Sequence, residues 1–210
     1  MPRSLLFALT AGALLITPTL RAAQHLWDFQ ELYTNIDGSI QFIEMASDSA
    51  GQQFLGSFTI TLKQGATILN TFTFSSNLAL NSPLAGHPNT ASTTLNQTML
   101  IATANFTSLF GIVPDYILPA GFLTTGAGKT LNFNVSPVEI VNIDTLPTNG
   151  IMSLDAMPAN DLPTAVAINP TANPSNFRGE TGTVPEPMSG ALAGFGLVLL
   201  ATRRRRSCSI

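Results

Sequence analysis

From residue 58 to residue 62 apolar and polar side chains alternate without a break: Phe58, Ile60 and Leu62 fall on one face, Thr59 and Thr61 on the other. Period two of that regularity belongs to a strand with one buried side. The pattern recurs. Residues 68–74 set Phe72 and Phe74 against Thr71 and Thr73, and residues 39–46 place Ile40 and Phe42 on a common face after an Asn35-Ile36-Asp37-Gly38 turn signal. Shorter runs at 99–104, 116–118, 130–135, 138–143, 151–154 and 165–168 are separated by Gly, Pro, Asn and Asp. Helical periodicity is nearly absent, apart from one turn at 105–110 that Asn105 would cap and that would pack Phe106 and Phe110 inward. Many short strands at such spacing predict an all-β sandwich or barrel. Residues 75–97 turn polar and small, as in a long loop at one end of such a fold.

The two ends are of a different kind. Arg3, an apolar run over 5–16, the helix breaker Pro18 and the small residues Ala22 and Ala23 read as a secretory signal peptide, residues 1–23, cut by a signal peptidase. At the other end Val184, Pro185, Glu186 and Pro187 precede an apolar run over 188–202 and then Arg203, Arg204, Arg205 and Arg206. As a helix the run measures about 22 Å against a hydrocarbon core of about 30 Å, which makes it a short transmembrane helix. The arginines can snorkel at its far end. By the positive-inside rule they stay cytoplasmic as a membrane anchor, which places everything before Val184 outside the inner membrane.

Without its ends the chain is acidic. Between residues 24 and 183, Lys63, Lys129 and Arg178 stand against eleven acids, a net of −8, where the whole chain carries −3. Such a surface repels nucleic acid, which is excluded as a partner. The sole cysteine is Cys208 in the tail, so the body must rest on apolar burial, for which thirteen phenylalanines, mostly in the body, provide. Roughly 160 residues suffice for one domain. The expected organisation is a sandwich ectodomain over 24–168, a Pro/Asn/Thr/Gly-rich linker over 169–183 that holds it off the membrane, and a tail over 184–210.

Two resemblances add to this. Val184-Pro185-Glu186-Pro187, the Gly/Ala/Leu-rich run and the arginine cluster resemble, in order and spacing, the PEP-CTERM sorting signal of Gram-negative envelope proteins. That resemblance covers about the last 27 residues. It implies a transient inner-membrane anchor, an exosortase that cuts near 185–187, and delivery of the body to the cell surface or the exopolysaccharide layer. Glu31-Leu-Tyr-Thr-Asn-Ile-Asp-Gly38 with Gln41-Phe-Ile-Glu-Met45 resembles the opening of lamin-tail-type immunoglobulin-like domains of exported bacterial proteins. It implies an immunoglobulin-like β-sandwich without enzyme activity.

Side chains suited to chemistry are sparse. A hydrolytic triad needs a histidine beside a hydroxyl and a carboxylate; the chain offers His25 and His87, and no Gly-x-Ser-x-Gly elbow accompanies His87. Three or four closely spaced zinc ligands are missing. Asp37, Ser39 and Asp48 bracket a turn where calcium could sit, although backbone geometry accounts for the same residues. Glu31 and Glu44, on neighbouring strands, form a carboxylate pair of the kind glycosidases use, or serve solubility at a strand edge. Gly126-Ala127-Gly128-Lys129-Thr130 lacks P-loop spacing and reads as a hairpin turn. The expected role is therefore a non-catalytic structural or adhesive envelope protein without cofactor or metal. The alternatives are a secreted hydrolase using His87 or the Glu pair, and a carbohydrate-binding module presenting Trp27 or Tyr116.

Overall fold

The Asp37-Gly38 turn sets the first register. Gly38 takes a left-handed φ of +70°, open to glycine at no steric cost, and Asp37 Oδ1 accepts from the Ser39 amide and hydroxyl. Strand β1 (Asp28–Thr34) thus folds back on β2 (Gln41–Ser47) as an antiparallel hairpin. In the computed structural model, residues 26–81, 92–135, 138–157 and 165–184 are described. The signal-peptide segment, His25, His87, Pro185, Glu186, Pro187, the apolar run and the four arginines lie outside them.

After the first hairpin come β3 (Thr59–Gln64), β4 (Thr67–Thr73), β5 (Gln97–Thr103), the one-turn helix α1 (Phe106–Phe110), β6 (Tyr116–Leu118), β7 (Lys129–Phe133), β8 (Glu139–Asn142), β9 (Ser153–Met157) and β10 (Ala165–Asn169). They build two sheets, one of order β10-β9-β1-β2-β5-β6 and one of order β4-β3-β7-β8. Every strand pair is antiparallel except β5 with β6, which run parallel. The expected all-β sandwich is therefore present as two facing sheets. Alternate residues of each, among them Leu32, Ile43 and Met45 of the larger sheet and Ile60, Leu62 and Phe133 of the smaller, form one buried cluster with Trp27 and Phe74.

The larger sheet is covered on its other face too. Tyr33, Phe42, Leu100 and Ala102 point away from the first cluster and gather Phe106, Phe110, Ile112, Ala172 and Val184 into a second one. Phe106 and Phe110, four apart on α1, stack with ring centroids 4.5 Å apart and meet Phe42 edge-on. Asn105 does not cap this turn through its side chain; it sits in the αR region with φ −80°, so its amide cannot reach back over the first N–H groups, and its carbonyl accepts from Ser108 instead. Two further expectations are revised. The 126–128 glycines carry the chain from β6 in one sheet to β7 in the other rather than closing a hairpin. And residues 169–183, expected as a linker, are part of the domain: Asn169 ends β10, Ala172, Asn176 and Phe177 are buried, as is Val184 just beyond, and a bridge between Ser175 and Thr181 folds the segment into a hairpin.

Candidate functional site: a carboxylate row beneath a C-terminal hairpin

Phe29 and Glu31 are two residues apart and would share a face in a regular strand. A β-bulge between them reverses that parity: Phe29 pairs with Met45 and Glu31 with Glu44. Phe29 joins the inner core, while Glu31 is turned to the outer face directly across from Glu44. On the other side of β1, Glu31 is opposite Asp155 of β9. Three carboxylates therefore lie in a row across β9, β1 and β2, the arrangement of like charges that a sheet ordinarily avoids.

The hairpin lies over this row. The Asn173 amide donates to Glu31 Oε1 at 3.1 Å, and the same oxygen accepts from the Ser153 hydroxyl. The Ser175 amide donates to Glu44 Oε2 at 2.8 Å. Two residues further on, the Phe177 amide donates at 2.8 Å to Asp115 Oδ2, which also takes the Leu100 amide at 2.9 Å. Residues 173, 175 and 177 each give their N–H to a different acid, because an extended segment presents every second amide on one side. Arg178 reaches Asp115 at 3.5 Å, and Asn176 fixes the hairpin turn by accepting from the Arg178 and Glu180 amides.

Burial dominates the acidity of all three acceptors. Glu31 and Glu44 are 4 % and 3 % exposed. Loss of water raises Glu31 from 4.5 to about 7, against the opposing bonds from Ser153 and Asn173. It raises Glu44 from 4.5 to about 8, with the neighbouring charges of Glu31 and Asp155 adding to the rise. Asp115 moves from 3.8 to about 6 for the same reason, although its two amides and Arg178 pull the other way. Near neutral pH the Glu31–Glu44 pair holds protons that exposed glutamates would have released. A polar cavity of about 300 Å³ opens beside the pair, with Gln30, Thr98, Asp155 and Asn169 on its walls.

The sequence brought Glu31 and Glu44 to adjacent strands correctly, but not to an exposed edge: they are buried in the middle of the sheet. Trp27 and Tyr116, considered as sugar-stacking faces, are 0 % and 7 % exposed. Trp27 donates to the Gln52 carbonyl and Tyr116 to that of Ser76, so both serve the core. Asp37 is occupied with its own turn through Ser39, which holds its carboxyl below the usual range. Among the described residues no three side chains cluster as metal ligands, and no helix is long and apolar enough to cross a membrane. Asp115, Ser153 and Asp155 escaped the sequence reading; the only hint was Phe177 and Val184, apolar residues inside a polar run. Comparison with protein-family models, with curated proteins and with solved structures gave no match.

Proposed function

We propose that the chain is an exported envelope protein, anchored briefly in the inner membrane by its C-terminal tail, trimmed near Pro185-Glu186-Pro187 by an exosortase and released to the cell surface or exopolysaccharide layer. Its sandwich, of immunoglobulin-like kind, serves there as a structural or adhesive unit and not as an enzyme. One observation carries the non-catalytic half: the buried carboxylates that most resemble a catalytic pair each bind an amide of the chain's own hairpin through one oxygen. The sorting half rests on the order Val184-Pro-Glu-Pro, apolar run, arginine cluster. Intact mass spectrometry of medium, surface and inner-membrane fractions tests it. A surface species beginning near Gln24 and ending near Pro185 is expected; retention of the arginine tail in the inner membrane alone would overturn it.

A second reading is a secreted glycoside hydrolase. The two raised carboxyls beside a polar cavity favour it, since a general acid must keep its proton near neutral pH. Glu31→Gln and Glu44→Gln separate the readings. Loss of polysaccharide turnover by about 10²-fold or more in either variant would establish the hydrolase; turnover that is absent in the parent chain or equal in both variants leaves the pair structural.

A further inference from the structure

The hairpin of residues 172–184 is held in a way an ordinary linker is not. Its inner edge gives three alternate amides to Glu31, Glu44 and Asp115, and its ends close on themselves through Gly182 N to Pro174 O and Val184 N to Ala172 O. Val184, the first residue of the Val-Pro-Glu-Pro motif, is seated in the outer apolar cluster with Phe110 and Ile112. We propose that this hairpin is a releasable latch, which seats the root of the C-terminal tail in the domain and presents the tail to a processing enzyme only when it lifts. The proposal rests on the sorting reading above for the identity of that enzyme.

Chain length gives the latch its consequence. With Val184 seated, the four steps to Met188 span at most about 14 Å, so the domain is held close against the start of the apolar run. Once the hairpin lifts, the sixteen steps from Ala172 extend that reach to about 55 Å. A membrane enzyme would meet the closed form with Val184 buried in the domain and the open form with residues 172–184 released from it.

Proton binding sets the direction of release. The charged groups around the contact are Glu31 of β1, Glu44 of β2, Asp155 of β9, Asp115 ahead of β6, and Arg178 and Glu180 of the hairpin itself; α1, β5 and β10 contribute none. In the closed state Glu31, Glu44 and Asp115 hold protons more tightly than they would facing water. Lifting the hairpin rehydrates them and returns them toward the ordinary carboxylate range. Acid therefore closes the latch and alkali loosens it, between about pH 4 and about pH 8, each unit of difference in a carboxyl changing the closed-to-open ratio tenfold.

Hydrogen exchange of the full-length chain in detergent micelles, corrected for the intrinsic pH dependence of exchange, reads this directly. Protection of the Asn173, Ser175 and Phe177 amides is expected to fall more than tenfold from pH 5.5 to pH 8.5 and to stay well below that of Ile43 and Ile101 in the sheet at both pH values. Glu44→Gln, which keeps the shape and removes the charge, should flatten the fall. Should that variant fail to fold, Asp115→Asn gives the same reading at the other end of the hairpin. Protection independent of pH, or as high as that of the sheet, would overturn the latch. In the producing cell Gly182→Ala, whose Cβ would come within 2.8 Å of the Phe110 carbonyl oxygen, should speed trimming, and Glu44→Gln should slow it. Equal trimming of all three chains overturns the gate alone; trimming of none overturns the sorting reading and the gate with it.

Discussion

Glu44 is the residue on which the acidity of the site turns. It is nearly inaccessible and opposite Glu31, and its one strong donor is an amide from another part of the chain. Its raised carboxyl destabilises the fold as it ionises, so Glu44→Gln should stabilise the protein at pH 8.5 by about 1–2 kcal/mol and change little at pH 5, as thermal melts at the two pH values would register. Glu44→Leu should be worse than Gln at both, because it strands the Ser175 amide without an acceptor, at about 1–3 kcal/mol. Sequence located this residue by strand alternation but misjudged its exposure. Period two says which side chains share a face; it cannot say whether a later segment will cover that face. For Glu31 even the face was illegible, since the bulge after Phe29 inverts the parity and leaves no signal in residue type.

At the level of elements, alternation found most strands, and the Asp37-Gly38 turn found the first hairpin, because both rest on local chemistry. The 169–183 segment was misread for the opposite reason. Proline, asparagine, threonine and glycine suggest an exposed linker when a segment has no side chains to bury, yet this one is bound chiefly through its backbone, whose amides are the same in every composition. Gly182 shows how closely it is bound: a Cβ there would lie 2.8 Å from the Phe110 carbonyl oxygen and 3.1 Å from Phe110 Cβ. Gly182→Ala is therefore expected to loosen residues 172–184 without unfolding the sheets, seen as faster exchange of the hairpin amides with β2 and β5 unchanged. Phe133→Ala, at the centre of the inner core, should by contrast cost about 3–5 kcal/mol and lower protection everywhere.

For the whole molecule the buried acids predict a stability that falls as pH rises. Glu31, Glu44 and Asp115 have folded values above their unfolded ones, so their contribution is complete below about pH 4, declines as pH climbs through about 6, 7 and 8, and levels off beyond. Asp37 and Asp144 are shifted down by hydrogen bonds and act in the other sense, losing their contribution only as the medium becomes more acidic than their ordinary value of 3.8. The optimum should lie near pH 4, with a melting temperature about 4–8 °C above that at pH 8.5 for a net difference of ~2 kcal/mol. A melting curve that rises toward alkaline pH would contradict this. The two-sheet architecture was legible from alternation and turn residues; the third layer, α1 and the hairpin over the outer face, was not, because it depends on contacts between segments distant in sequence.

The hairpin also determines how the domain would bear a load. A chain tethered through residue 184 transmits tension first to the Val184 and Gly182 amides, then to Phe177, Ser175 and Asn173 in turn, so the bonds are pulled one after another and not together. Contacts loaded in series peel at low force. A domain pulled from its C-terminal side would thus shed its outermost layer early, as a mechanical fuse, while the two sheets stay folded; single-molecule pulling from the C-terminus should show a short first extension of roughly 40 Å, about twelve residues at full stretch, well before the main unfolding event.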